Sequence, residues 1–163
     1  MAEVKFEDFS VQVKGAIDAA VVQWLEEASS EIMSQAMRNS VRGKVDGGTT
    51  IGSWKHVVNE SMGEAIVGNT QENAIWEELG TGEYALEGKG RKGGWYIPIG
   101  NGKDEISQAV VDAYHMKVVH GKDGKKFAFT KGKKPKRMLH TAFTKNKQKI
   151  IHRAEQIFGE GLK

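Results

Sequence analysis

The first quarter of the chain is written in helical period. Val13, Ile17, Val21, Trp24, Ala28, Ile32 and Ala36 step by three or four residues, and Leu25 and Met33 widen the stripe. This predicts one long amphipathic helix over residues 10–41. Gly43 is its expected stop, and residues 1–9 are expected to be an extended or frayed lead-in. At 1.5 Å per residue the helix would be roughly 45 Å long. Such a helix either lies across a whole sheet or projects one end toward another subunit.

The period then changes. Residues 46–53 hold three glycines in eight and predict a loop. Val57–Val58 and Ile66–Val67 supply β-branched residues for two strands, 54–60 and 65–68, with a turn around 62–64. Residues 73–82 read N-A-I-W-E-E-L-G-T-G. Ile75 and Leu79 are four apart, so one helical turn sets them on one face. In so polar a chain (mean hydropathy −0.50) a patch of Ala74, Ile75, Trp76 and Leu79 is expected to be buried in part. Gly80 is expected to end the turn in the left-handed conformation.

Residues 83–94 include Gly88, Gly90, Gly93 and Gly94 and predict a mobile loop. A strand follows over 95–99, and Pro98 assigns it to an edge or a strand end. Ile106, Val110 and Tyr114 fall at helical spacing, with Asp104 as the expected cap. Residues 118–120 and 126–130 predict a hairpin closed by Asp123-Gly124, with Phe127 and Phe129 on one side and Ala128 on the other. A basic loop, 131–137, leads into a last helix over 138–158. Its apolar positions are Leu139, Ala142, Phe143, Ile150, Ala154, Ile157 and Phe158.

The order of elements predicts an α+β fold: a small, mainly antiparallel sheet packed against a long N-terminal helix and a C-terminal helix. The length, 163 residues, suits a single domain spanning 1–163, with flexible loops at 46–53, 83–94 and 121–136.

Charge divides the chain. Residues 1–87 carry 15 acids and 6 bases, net −9; residues 88–163 carry 6 acids and 18 bases, net +12. Either the halves neutralise each other within one domain, or the acidic surface of one copy meets the basic surface of the next. Cysteine is absent, which excludes disulfides and thiolate chemistry. No apolar run approaches the ~20 residues that span a bilayer, and no secretory signal is visible. The expectation is a protein made in the cytoplasm with no membrane partner.

The stretch 73–82 resembles the Y-A-x-x-x-E-F-G-T-G signature of small head–tail joining (tail-completion, neck) proteins of long-tailed bacteriophages. Ala74, Glu78, Gly80, Thr81 and Gly82 match it. Asn73 stands where the family has an aromatic residue, and Leu79 where it has Phe. Upstream, Asp46, Gly48, Trp54 and Val57 or Val58 resemble the family's D-T-G-x-L-x-x-S-I pattern with an insertion. Downstream, Pro135, Met138, Leu139 and Ala142 resemble P-x-P-F-L-x-x-A, with Met138 for Phe and Lys136 or Arg137 near the second proline. The resemblance covers about residues 10–158. It implies a structural virion protein, made in the host cytoplasm. It further implies a ring, six copies in the virion, that docks to head-connector, tail-tube or tail-terminator proteins. Ala74, Glu78, Gly80, Thr81 and Gly82 would then fix a corner. Arg91, Lys92, Lys125, Lys126, Lys133 and Lys134 are the expected subunit or partner contacts, in loops that would order against neighbours.

A phosphate loop requires G-x-x-x-x-G-K-[ST]; residues 82–90 have five residues between the glycines and no hydroxyl after the lysine. Glu77 and Glu78 would point about 100° apart on a helix, which suits a salt bridge or a subunit contact better than an acid–base pair. The five histidines form no i,i+4 pair and no H-E-x-x-H, and no serine sits in G-x-S-x-G. No enzyme, cofactor or metal is expected. The rival to the joining function is a nucleic-acid-binding accessory protein using residues 117–137, where lysines alternate with Phe127 and Phe129. Since a virion neck surrounds DNA, weak non-specific DNA contact fits either function.

Overall fold

The computed structural model describes residues 10–40, 42 and 48–161. The lead-in 1–9, the stop at Gly43 and the Asp46 end of the first loop lie outside them. The architecture is α+β, built on two helices. α1 (Ser10–Asn39) and α5 (Met138–Gly161) lie antiparallel. Trp24 Nε1–H donates to the Ile150 carbonyl at one end of the pair, and Asn39 Nδ2–H donates to the Met138 carbonyl at the other, 3.0 and 2.9 Å. Small residues let the backbones approach: Ala36 and Ala142 have no exposed surface. With Trp54 and Met138 they form a core cluster, ringed by Ile32, Met33, Met37, Val67 and Leu139.

The buried face of α1 keeps Leu25, Ile32, Met33 and Ala36 of the predicted stripe and is broader than it. Ala20, Leu25, Ser29 and Ala36 are buried, whereas Ile17 is exposed. The reason is that α1 has two partners, α5 on one flank and a hairpin on the other. That hairpin joins β1 (Trp54–Asn59) to β2 (Glu64–Asn69), antiparallel, with Val57 opposite Ile66. Its inner face sets Trp54, His56, Val58 and Val67 toward α1. Its outer face leaves Val57 and Ile66 each 65 % exposed. The indole N–H of Trp54 donates to Ser40 Oγ, 2.8 Å, and that hydroxyl donates to the Ala36 carbonyl, 2.8 Å. This chain of bonds pins the start of β1 to the end of α1.

Two small sheets form rather than one. The second has the order β3-β5-β4, all antiparallel, from β3 (Trp95–Pro98), β4 (Lys117–His120) and β5 (Lys126–Thr130). Pro98 closes β3 on the sheet edge, as expected. Gly124 takes the positive φ (77°) of the β4–β5 turn. Ala128, not the phenylalanines, is the fully buried residue of β5; Phe127 and Phe129 are half-buried.

Three local expectations are corrected. Residues 49–52 of the first loop form a helical turn, α2 (Thr49–Gly52). The segment 104–115 holds a shorter helix, α4 (Gln108–Ala113), capped by the Ser107 hydroxyl rather than by Asp104. A cap must lie beside the first turn, and the chain between Gly102 and Ile106 is held by its own bonds to Glu105 and Pro98. Within the glycine-rich loop 83–94 lie short 3-10 turns at Gly82–Tyr84 and Leu86–Gly88 and a bond from the Gly93 amide to Glu83 Oε1. Finally, Phe143 on α5 is 50 % exposed.

Candidate functional site

The sequence around the start of α5 creates a problem. The first N–H groups of a helix lack intrahelical acceptors and carry partial positive charge. Ahead of α5 come Lys136 and Arg137, which supply neither a capping oxygen nor negative charge. Arg137 also takes a positive φ of 50°, uncommon for a residue with a side chain. The acceptor arrives from far along the chain. Glu78, on α3 (Asn73–Leu79), accepts the Leu139 amide at Oε2 and the His140 amide at Oε1, both 2.9 Å.

The neighbouring residues continue this junction. The Lys136 amide donates to the Glu77 carbonyl (2.7 Å) and the Arg137 amide to the Glu78 carbonyl (3.3 Å). The Thr81 amide donates to the Lys133 carbonyl (2.8 Å), while Thr81 Oγ1 accepts the Lys133 amide (2.9 Å). The Glu83 amide donates to the Lys131 carbonyl, 2.9 Å. Residues 77–83 and 131–140 therefore run together as a bonded ribbon outside both sheets.

Two glycines make this approach feasible. Gly80 has φ 74° and ψ 174°, which is not the expected left-handed helical conformation but a region essentially confined to glycine. A Cβ there would lie 2.8 Å from the Lys133 carbonyl oxygen and from Pro135 Cδ. A Cβ at Gly82 would collide with the Lys131 carbonyl oxygen and the Trp95 ring.

Charge reinforces the ribbon. The half-buried Glu77 carboxylate is clamped between the Lys133 and Lys136 ammonium groups, and Glu83 pairs with Lys131 at 3.5 Å. Burial, and after it the adjacent Lys136 charge, push the Lys133 amine below the usual lysine range. Glu27 pairs with Arg153 and Glu31 with Lys149. In each pair the acid comes from the acidic half and the base from the basic half, so part of the charge asymmetry is neutralised within one chain.

The expected signature residues all meet here: Ala74 is buried at the base of α3, and Glu78, Gly80, Thr81 and Gly82 line the junction. The apolar patch beside them, expected to be buried in part, is buried at Ala74 alone. Ile75, Trp76 and Leu79 are exposed, with Trp76 at 55 %, because α3 turns its carboxylates and Ala74 inward. The expected contact lysines separate into two groups. Lys133 is engaged with Glu77, Lys125 with Asp123, Lys134 lies over the Tyr84 ring and Arg91 over the Trp95 ring. Lys92 and Lys126 are exposed.

Beside the ribbon opens a groove of about 1000 Å³. Trp76, Tyr84 and Trp95 are among its walls, with Thr49 and Thr50 at one side and Lys117, Lys131 and Lys133 along it. The sequence signalled none of this groove, since its walls come from segments up to 85 positions apart (Gly48 and Lys133).

Elsewhere, Ser29 Oγ lies 2.8 Å from His56 Nδ1, and Glu26 lies 3.8 Å from the same nitrogen. A catalytic triad needs the hydroxyl and the carboxylate on opposite ring nitrogens, and Ser29 is only 2 % exposed. Among the described residues no His, Cys, Asp or Glu cluster is placed to hold a metal, and no helix is long and apolar enough to cross a membrane. No family model, curated protein or solved structure matches this chain.

Proposed function

We propose that this chain is a structural component of a long-tailed phage virion, a head–tail joining or tail-completion protein that works as a ring. The observation that carries the proposal is the ribbon. Two distant parts of the resemblance, residues 74–82 and 135–142, are packed against each other. Glu78 holds the amides of Leu139 and His140, and Gly80 abuts Pro135. A signature whose parts meet in space, and whose residues serve geometry, suits a protein that must present a fixed shape to neighbours. The exposed Ile75, Trp76 and Leu79 beside it, and Val57 with Ile66 on the hairpin, supply apolar surface for such contacts.

In this function the ring is heterologous, each copy offering one face to the next and the other to its predecessor. Six copies is the number the resemblance implies, with head-connector, tail-tube or tail-terminator proteins as neighbours along the axis. The test is negative-stain imaging of host lysates from a phage in which this gene is silenced. Full heads beside unattached tails, or tails with unfinished ends, are expected. Normally joined virions would refute the proposal.

A further inference from the structure

The aromatic groove has a basic character that calls for an acidic, aromatic occupant. Trp76, Tyr84 and Trp95 provide ring faces, and Lys117, Lys131 and Lys133 against Glu77 make its charged lining net +2. Residues 1–9 (M-A-E-V-K-F-E-D-F) have the complementary composition: Phe6 and Phe9 with Glu3, Glu7 and Asp8 against Lys5, net −2. We infer that the groove of one copy receives the 1–9 segment of a neighbouring copy.

Distance selects the neighbour over the same chain. The groove lies at the Asn39 end of α1, since Asn39 bonds Met138 and the adjoining ribbon carries Glu77 and Lys133. Ser10 lies at the opposite end of this helix, roughly 44 Å away along its axis. Nine residues, fully extended, reach at most about 32 Å. The segment of one chain therefore falls short of its own groove and is available to another. Each copy then gives a segment and receives one, a heterologous contact that propagates around a ring. The inference rests on the ring proposed above and names the contact that would link its members.

A single-stranded nucleic acid would also value rings and lysines. It is disfavoured because the Glu77 carboxylate stands in the groove wall, where a phosphate backbone brings no cation to meet it and the 1–9 segment brings Lys5.

The test uses the full chain labelled with 15N and a synthetic peptide of residues 1–9, followed through the four tryptophan indole N–H signals. Trp76 and Trp95 line the groove, whereas Trp24 and Trp54 donate to Ile150 and Ser40 inside the fold. Addition of peptide to roughly millimolar concentration, the range of a weak isolated contact, should shift the Trp76 and Trp95 signals saturably and leave the other two in place. A peptide carrying Phe6→Ala and Phe9→Ala should lose the shift, and so should one carrying Glu3→Lys, Glu7→Lys and Asp8→Lys. No shift at that concentration, or equal shifts with these altered peptides, would overturn the inference. So would an oligothymidine that moves the same two signals when the peptide does not, which would assign the groove to nucleic acid. The outcome is separable from that of the silencing experiment: saturable peptide binding with normally joined virions would refute only the phage function, and unjoined virions without peptide binding only the segment exchange.

Discussion

Glu78 and Leu139 are 61 residues apart in sequence, and the Leu139 amide donates to Glu78 Oε2 at 2.9 Å. A carboxylate from one helix thus completes the N-terminus of another that has only basic residues ahead of it. Glu78→Ala should destabilise the chain by about 1–2 kcal/mol, the usual cost of removing an N-terminal cap and its favourable charge. Glu78→Gln should cost less, because one amide acceptor remains. Urea denaturation monitored by helical circular dichroism measures both; equal midpoints for all three proteins would remove the capping role.

Gly80 is constrained twice, by its φ and ψ and by the Lys133 carbonyl and Pro135 ring against its α-carbon. Gly80→Val should therefore cost about 2–4 kcal/mol, combining backbone strain with overpacking, and reduce the yield of soluble folded protein. Gly63 supplies a control: it has φ 63° in the β1–β2 turn and open space around it. Gly63→Ala should cost only about 1 kcal/mol. Thermal melting of the two variants beside the parent distinguishes a crowded corner from simple loss of glycine.

Ser40 and Trp54 form a buried pair, with the indole N–H on the hydroxyl. Ser40→Ala would leave that N–H without its acceptor, at a cost of about 1–3 kcal/mol. Restoring an acceptor with Ser40→Thr should recover most of the loss if the methyl group is accommodated. Denaturant midpoints test this, and an unaltered midpoint for Ser40→Ala would show that the bond contributes nothing.

Glu27 should titrate anomalously. Its side-chain hydrogen bonds, to Arg153 first and Gln23 second, lower its pKa from 4.5 to about 2. The sign follows from linkage: a carboxylate with a depressed folded pKa contributes stability that is fully present above its unfolded value and lost as pH falls through the folded one. The window is thus about 4.5 down to about 2. The pair is solvent-exposed, so the effect on stability should be small and salt-screened. Carboxyl NMR should give a Glu27 midpoint near 2, returning to the ordinary range in Arg153→Met; an ordinary midpoint in the parent would contradict the geometry.

Much of the fold was legible before any tertiary information. The paired helices, the two hairpins and the proline-closed edge strand follow from local period, turn chemistry and the missing proline N–H. The misjudged places share one cause. Asp104 loses the cap of α4 to Ser107, and the stripe of α1 extends to Ala20 and Ser29, because in each case a neighbour outside the local window decides which face or oxygen is used. For the same reason Ile75, Trp76 and Leu79 look like core in sequence and stand at the surface in space: spacing shows that they share a face, not what that face meets.

The sequence by itself determined the order and type of the main elements, the glycine at the corner and the absence of cysteine chemistry. These depend on forces acting within a few residues: steric limits on φ, side-chain periodicity and hydrogen bonding in turns. Only the tertiary structure decided that Glu78 serves α5, that Glu77 lies between Lys133 and Lys136, and that an aromatic groove opens beside them. The carboxylate contacts span 56 to 62 positions, and which distant groups meet is settled by the packing of α1, the hairpin and α5 as a whole, where burying Trp54, Met138 and the two alanines outweighs any local preference.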